Sequence, residues 1–228
     1  MSSAVVADGE ILDGGRTSVL IDFGGVVTTS VLDAFRDFGA GIGDRDLPLR
    51  LLARDAESKA LLADHEAGRI DAASFDRGFA RRLADHGVPV AAHGLSERMQ
   101  AGLRRDDATI AMLARLRAAG VPVALVSNAF GRDTYRGFDL DALADVAVIS
   151  AEVGIRKPSR RIFEIACERL GVSTAQAVMI DDLQQNLDGA ARLGIAGVLH
   201  TSGEDTANQL AVRFGLPSLA PDDSAENI

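Results

Sequence analysis

Apolar and polar positions follow two textures along this chain. From about Asp106 onward, short uninterrupted apolar runs alternate with stretches whose apolar residues recur at helical spacing. Residues 107–119 place Ile110, Leu113 and Leu116 on one face, and Gly120 follows as a stop. Residues 121–126 form a continuous apolar run, as expected of a strand covered on both faces. Residues 146–149, 177–180 and 197–199 repeat that signal. Between them lie two helical stretches. Residues 160–170 carry Ile162, Phe163, Ala166 and Leu170, with Pro158 near the start and Gly171 just past the end; residues 187–193 are stopped by Gly194. A further strand is expected at 18–21, apolar or β-branched and followed by Gly24 and Gly25. Repeated strand–helix units of this length predict an α/β fold with a doubly wound parallel sheet.

Residues 31–105 have the second texture. Leu49-Arg50-Leu51-Leu52 and Phe75-Asp76-Arg77-Gly78-Phe79 are helical in spacing, no convincing strand occurs, and Glu66-Ala67-Gly68-Arg69-Ile70-Asp71 reads as a break between two helices. The expected organisation is a core of residues 17–30 and 106–216, with a small all-helical insert at 31–105 after the first strand. An insert at that point stands over the strand ends as a cap able to close on a substrate. Residues 1–16 read as a disordered tail and 217–228 as an acidic one, with Asp222, Asp223 and Glu226.

Composition narrows the function. A chain of 228 residues is long enough for one sizeable domain or for a core with an insert. Its net charge of -9 argues against non-specific nucleic-acid binding, and any phosphate site in it must draw positive charge from a metal or a placed lysine. The single cysteine, Cys167, leaves no internal disulfide and fits a reducing, cytoplasmic setting; its place in an apolar helix pattern makes it a buried structural thiol. No run of about 18 apolar residues is present, so no membrane span is expected, and residues 1–17 lack the basic and apolar regions of a secretory signal. The expected partner is a small molecule, neither nucleic acid nor membrane. Nothing in the pattern bears on oligomeric state.

The chemistry gathers where strands end. Asp22 closes the first strand, and glycines at 24 and 25 let a ligand approach the backbone. Ser127-Asn128 follows the second strand, Lys157-Pro158 precedes a helix, and Asp181-Asp182 ends a later strand with Asn186 beyond it. Asp22 alone would do as a turn cap, Ser127-Asn128 as a helix N-cap that also binds, and Lys157 as a solvated lysine. The aspartate pair resists such a reading, because adjacent carboxylates at a buried strand end repel unless a cation joins them. A hard cation such as Mg²⁺ takes oxygen ligands and would suit Asp22, Asp182 and a backbone carbonyl. Asn186 reads as a residue that orients its loop. His65, His86 and His93 lack ligand spacing and read as surface or insert residues, and Arg77, Arg81 and Arg82 read as a solvated helix face with a hint of anion binding.

These four motifs, in this order on these elements, resemble the haloacid dehalogenase superfamily, a group made mostly of phosphatases. The resemblance spans about residues 18–200, and the helical insert is similar to the family's first cap type, with Glu66-Ala67-Gly68-Arg69-Ile70 like a stretch common in such caps. It implies that Asp22 is a nucleophile carrying an aspartyl-phosphate. It also implies that Asp22, the Gly24 carbonyl and Asp182 hold Mg²⁺, with Asp181 acting through metal-bound water. Ser127 and Lys157 would be catalytic, and Asn128 and Gly25 substrate-binding. The activity implied is removal of phosphate from a small phosphorylated metabolite.

One departure matters. Most phosphatases of this family carry a second aspartate two residues after the nucleophile, as general acid and base; this chain has Gly24. Such assistance is typically worth about 10²- to 10⁴-fold. Some branches it resembles, including a sugar-1-phosphate phosphatase group, lack that aspartate and are active. Asp64, His65 and Glu66 are the candidates for a substitute acid. Two alternatives stand beside the phosphatase: a catalytically weak or silent binding or regulatory protein, which Gly24 motivates, and a metal-independent haloacid dehalogenase, against which the aspartate pair speaks.

Overall fold

The structure, a computed structural model, is described over residues 15–219. Most of the two expected tails lies outside that range. Within it, Arg16 Nη1 donates to Gly194 O at 2.8 Å, and Leu219 is buried in the main core, so both belong to the folded unit.

Five parallel strands form one sheet in the order β3-β2-β1-β4-β5: β1 Ser18–Ile21, β2 Val123–Ser127, β3 Val146–Ile149, β4 Ala177–Asp181 and β5 Ala196–Leu199. Side chains alternate across a strand, and the two cores follow that period of two. Val19, Ile21, Val123, Leu125, Val178 and Ile180 face one side, against Met112, Leu113 and Leu116 of α6 (Asp107–Ala118) and Ala207 and Leu210 of α11 (Gly203–Phe214). Leu20, Ala124, Val126 and Met179 face the other, against Ile162, Phe163 and Ala166 of α9 (Arg160–Leu170) and Leu187 and Ala190 of α10 (Gln184–Ala191). Burial on both faces explains why these strands read as unbroken apolar runs. Helix α10 begins three residues earlier than its apolar pattern indicates, because Asp181 Oδ1 accepts from Leu183 N at 2.9 Å and turns the chain into the helix at once. Two short helices flank β3, α7 (Leu140–Leu143) and α8 (Ser150–Val153), and neither they nor α11 had a counterpart in the apolar pattern.

Between β1 and α6 lie α1 (Val31–Gly41), α2 (Leu47–Arg54), α3 (Ala56–Glu66), α4 (Ala72–Asp85) and α5 (Leu95–Gln100), with no strand among them. They pack around their own core of Phe35, Leu47, Leu51, Phe75, Phe79, Leu83, Leu95 and Met99. Their starts are capped by side chains: Ser30 Oγ, Asp55 and Asp71 accept from the N–H groups of Asp33, Ser58 and Ser74. Asp76, buried in α4, accepts from Leu95 N at 3.0 Å and Ser96 N at 2.8 Å and so fixes the start of α5. The two connections to the sheet run side by side, with Thr29 N donating to Arg104 O and Asp106 N to Val27 O. Phe130, from the loop after β2, inserts into the helical core.

Arg82, expected on a solvated helix face, is instead largely covered and paired: it meets Asp55 at 2.8 Å and also reaches Glu57 and Asp85. Cys167 is buried on α9 and its thiol is pushed up to about 11 by burial, in keeping with a structural role.

Candidate active site

Parallel register sets the site. Ile21 lies opposite Leu125 on one side and Ile180 on the other, so β1, β2 and β4 end together and present Asp22, Ser127 and Asp181 along one edge. Asp22 is buried. Its Oδ1 accepts from Phe23 N at 2.6 Å and lies 2.7 Å from Lys157 Nζ. Lys157 is 1% exposed and reaches Asp181 Oδ2 at 2.8 Å, so one ammonium bridges the ends of β1 and β4. Asp181 Oδ1 accepts from Leu183 N and from Asn186 Nδ2, both at 2.9 Å. Asn186 thus orients this carboxylate, in line with the loop-ordering role expected of it.

The segment after β1 is a tight turn in which Val27 N and Thr28 N both donate to Phe23 O. Gly25 sits there at φ +83°, and a Cβ on it would lie 2.3 Å from Asp182 Oδ2. Backbone conformation and space both demand glycine, and the missing side chain lets Asp182 come up beside the turn. Carboxylate oxygens of Asp22, Asp181 and Asp182 can all lie within 4.8 Å of one another. With a single lysine among them, this set, two of its carboxylates buried and Asp182 half-buried, carries excess negative charge. Burial, outweighing Lys157 and reinforced by Asp181 and Asp182, raises the Asp22 carboxyl to about 8; burial and then Asp181 raise Asp182 to about 6. Burial alone would lower Lys157, but Asp22 and Asp181 outweigh it and hold its ammonium above the usual range. An all-oxygen donor set with surplus negative charge fits a hard divalent cation.

Ser127-Asn128 does not cap a helix. Asn128 Oδ1 accepts from Lys157 N at 2.8 Å and its Nδ2 donates to Lys157 O at 3.2 Å. Asn128, expected to bind substrate, also clasps the lysine's backbone. Ser127 Oγ accepts from the Tyr135 hydroxyl at 2.8 Å, leaving the serine's own hydrogen free to point elsewhere. Burial raises the Tyr135 phenol, which stays protonated. Its ring packs edge-on against Phe23, next to Asp22, at 4.8 Å between centroids. Tyr135 carries no sequence signal, since it lies in a short 3₁₀ turn, Arg132–Tyr135, inside a loop.

The candidate substitute acids have separate fates. Asp64 bonds Arg69 Nε at 2.7 Å at the surface. Glu66 lies between insert and sheet: its Oε2 is 2.5 Å from Arg156 Nε, and its carbonyl accepts from Ser150 Oγ. Burial raises the Glu66 carboxyl, and Arg156 opposes the shift. His65 is no surface residue; it is 4% exposed, stacked on Phe75 and edge-on to Phe130.

An α/β protein with its reactive groups at the carboxyl edge of a parallel sheet defines the class. The match of residues 17–194 to the haloacid dehalogenase-like hydrolase model defines the family, and this chain belongs to it. Among relatives, it is 35% identical over 107 residues to acyl-CoA dehydrogenase family member 10 of Mus musculus, covering 46% of this chain and 10% of that protein. It is 29% identical over 109 residues to (S)-2-haloacid dehalogenase 4A of Burkholderia cepacia, covering 44% and 46%. It is 28% identical over 134 residues to a sesquiterpene phosphatase of Aspergillus oryzae, covering 57% and 68%. The chain therefore spans a tenth of the first relative and under half of the second. A solved HAD-like hydrolase from Porphyromonas gingivalis superposes with a TM-score of 0.68 at 21% identity, covering 87% of this chain and 97% of that one, which speaks to fold. Among the described residues no helix is long and apolar enough to cross a membrane.

Proposed function

We propose that this hydrolase is a Mg²⁺-dependent phosphatase acting on a small phosphate ester through an aspartyl-phosphate at Asp22. The observation that carries the reading is the cluster of Asp22, Asp181 and half-buried Asp182, with Lys157 bridging the first two. A phosphate dianion and a carboxylate nucleophile repel, and this edge concentrates the means to bring them together. Asp22, the Gly24 carbonyl and Asp182 would hold the cation, with Asp181 beside them; bound Mg²⁺ neutralises charge on the phosphoryl oxygens. Asp22 attacks phosphorus through a carboxylate oxygen and the ester P–O bond breaks; water then hydrolyses the acyl phosphate, restoring Asp22 and releasing phosphate. Lys157 steadies charge on Asp22 and the phosphoryl group, and Ser127, its acceptor side filled by Tyr135, donates to a phosphoryl oxygen. Gly25 lets backbone N–H groups approach, and Asn128 holds Lys157 in place. The helices of 31–105 serve as the cap.

Gly24 offers no proton to the leaving oxygen, so turnover favours esters whose leaving group departs unaided. The same absence supports a second reading, a silent binding module. The relatives include phosphatases and dehalogenases, and the acidic pair favours the former, because carbon–halogen substitution gains nothing from concentrated negative charge beside the nucleophile. Phosphate release from a panel of aryl, alkyl and acyl phosphates, with Mg²⁺ and with chelator, tests the choice. Metal-dependent release strongest for good leaving groups is expected; no release from any compound favours the binding module, and chelator-resistant halide release from a haloacid favours the dehalogenase.

A further inference from the structure

Between the helical insert and the segments that follow β2 and β3 lies a second feature, a partly open cavity of about 850 Å³. Tyr135 lines it, and the Tyr135 hydroxyl sits on Ser127 Oγ, so the cavity adjoins the edge where a phosphoryl group would bind. Ile70, Ala72, Ala129 and Ile149 give it apolar walls, while its charged members, Arg69, Asp71 and Glu152, are solvent-exposed. Arg69 and Asp71 are also engaged, the one with Asp64 and the other with Ser74 N.

His65 is the anomaly in this lining. It is 4% exposed; the Ile70 backbone is the polar group that faces its ring, which leaves at least one ring nitrogen without a protein partner among the described residues. Its Nε2 is directed at Gly131, where an added Cβ would lie 3.8 Å away, and Gly131 lines the same cavity. The ring is fixed by Phe75, stacked at 4.8 Å, so it cannot turn freely to find water. A buried imidazole nitrogen without a partner carries a desolvation cost that a ligand entering the cavity would offset.

We propose that this cavity takes the leaving group of the ester, that the leaving group is largely apolar, and that His65 hydrogen-bonds one uncharged hydroxyl or carbonyl on it. The inference rests on the phosphatase reading and narrows its substrate class. A polyol or nucleotide would need many fixed partners, and the buried part of the lining offers His65 and a Tyr135 hydroxyl already donating elsewhere. A body of hydrocarbon with one polar group matches both the walls and the lone imidazole.

Non-hydrolysable phosphonates test this by calorimetry with Mg²⁺ present: hexylphosphonate, its terminally hydroxylated analogue, and a hexose phosphonate. Wild-type protein is expected to bind both alkyl compounds roughly 10-fold or more tighter than the sugar compound. His65→Phe keeps the ring stack and should cut the affinity of the hydroxylated compound relative to hexylphosphonate by roughly 10-fold. Ala73→Leu, which fills the cavity from an exposed helical position, should lower the ratio of hexylphosphonate to inorganic phosphate affinity by a similar factor. A sugar phosphonate that binds as well as the alkyl compounds overturns the proposal, as do variants that leave every ratio unchanged. Ester hydrolysis without the alkyl preference sinks this inference alone. The alkyl preference without any ester hydrolysis sinks the phosphatase and leaves the cavity as a binding site.

Discussion

The sheet edge and the helical insert solve opposite problems. At the edge, strand register places Asp22, Ser127 and Asp181 within reach of one buried lysine, and charge is concentrated where folding alone would disperse it. In the insert, carboxylates are used to build: Asp55, Asp71 and Asp76 cap helices, and Arg82 is matched by acids near the surface. Ionic residues thus oppose stability in one region and support it in the other. The difference separates residues that react from residues that hold, and it can be broken by substitution.

The largest effect should come from Asp22→Asn, which removes the nucleophile and is expected to lower phosphate release by at least about 10⁴-fold with the fold intact by circular dichroism. Lys157→Met comes next. It leaves Asp22 and Asp181 buried without their cation and should cost about 3–5 kcal/mol in urea unfolding of metal-free protein, with Mg²⁺ recovering part of the loss. In the insert, Asp76→Ala orphans the N–H groups of Leu95 and Ser96 and should cost about 2 kcal/mol while leaving Mg²⁺ affinity unchanged.

Strand ends were readable because each motif is local: an apolar run stops and its reactive residue follows. The parallel sheet was readable for the same reason, since strands buried on both faces carry no polar alternation. What escaped depends on segments meeting across the fold. His65 read as a surface or insert residue, and its burial escaped because its neighbours, Phe75 and Phe130, lie in other elements. Tyr135 sits in a turn without periodicity, and the Asn128 clasp depends on a backbone 29 residues away. Helix α3 hid its inward face because Ala60, Leu61 and Leu62 are consecutive and mark no single stripe.

Position 24 sharpens the comparison, since there the edge meets the insert. A Cβ on Gly24 would lie 2.8 Å from Val31 Cγ2, at the start of α1. Gly24→Asp alone is therefore expected to give little, whereas Gly24→Asp with Val31→Ala should raise turnover of alkyl phosphates by about 10- to 100-fold. Equal effects with and without the second change would show that Val31 does not govern the position.

The smallest effect concerns pH. Asp182 and Asp22, raised to about 6 and about 8 from 3.8, keep protons that a cation must displace. Raised carboxyl values mean the folded metal-free form binds more protons than the unfolded chain, so its stability falls as pH rises from near 4 to about 8. Lys157 stays charged in both forms throughout that window. Mg²⁺ should accordingly raise the melting temperature more at pH 8 than at pH 6 by differential scanning fluorimetry.

The central claim is that Asp22 carries the phosphoryl group, and rapid acid quench of the protein turning over acetyl phosphate tests it most directly. Without an acid–base residue at position 24, hydrolysis of the aspartyl-phosphate is slow, so the adduct should accumulate with Mg²⁺. Peptide mass spectrometry is expected to find one phosphoryl group on the peptide containing Asp22, absent with chelator and absent in Asp22→Asn. Phosphate release that persists in Asp22→Asn, with no adduct on the wild-type peptide, would contradict the account.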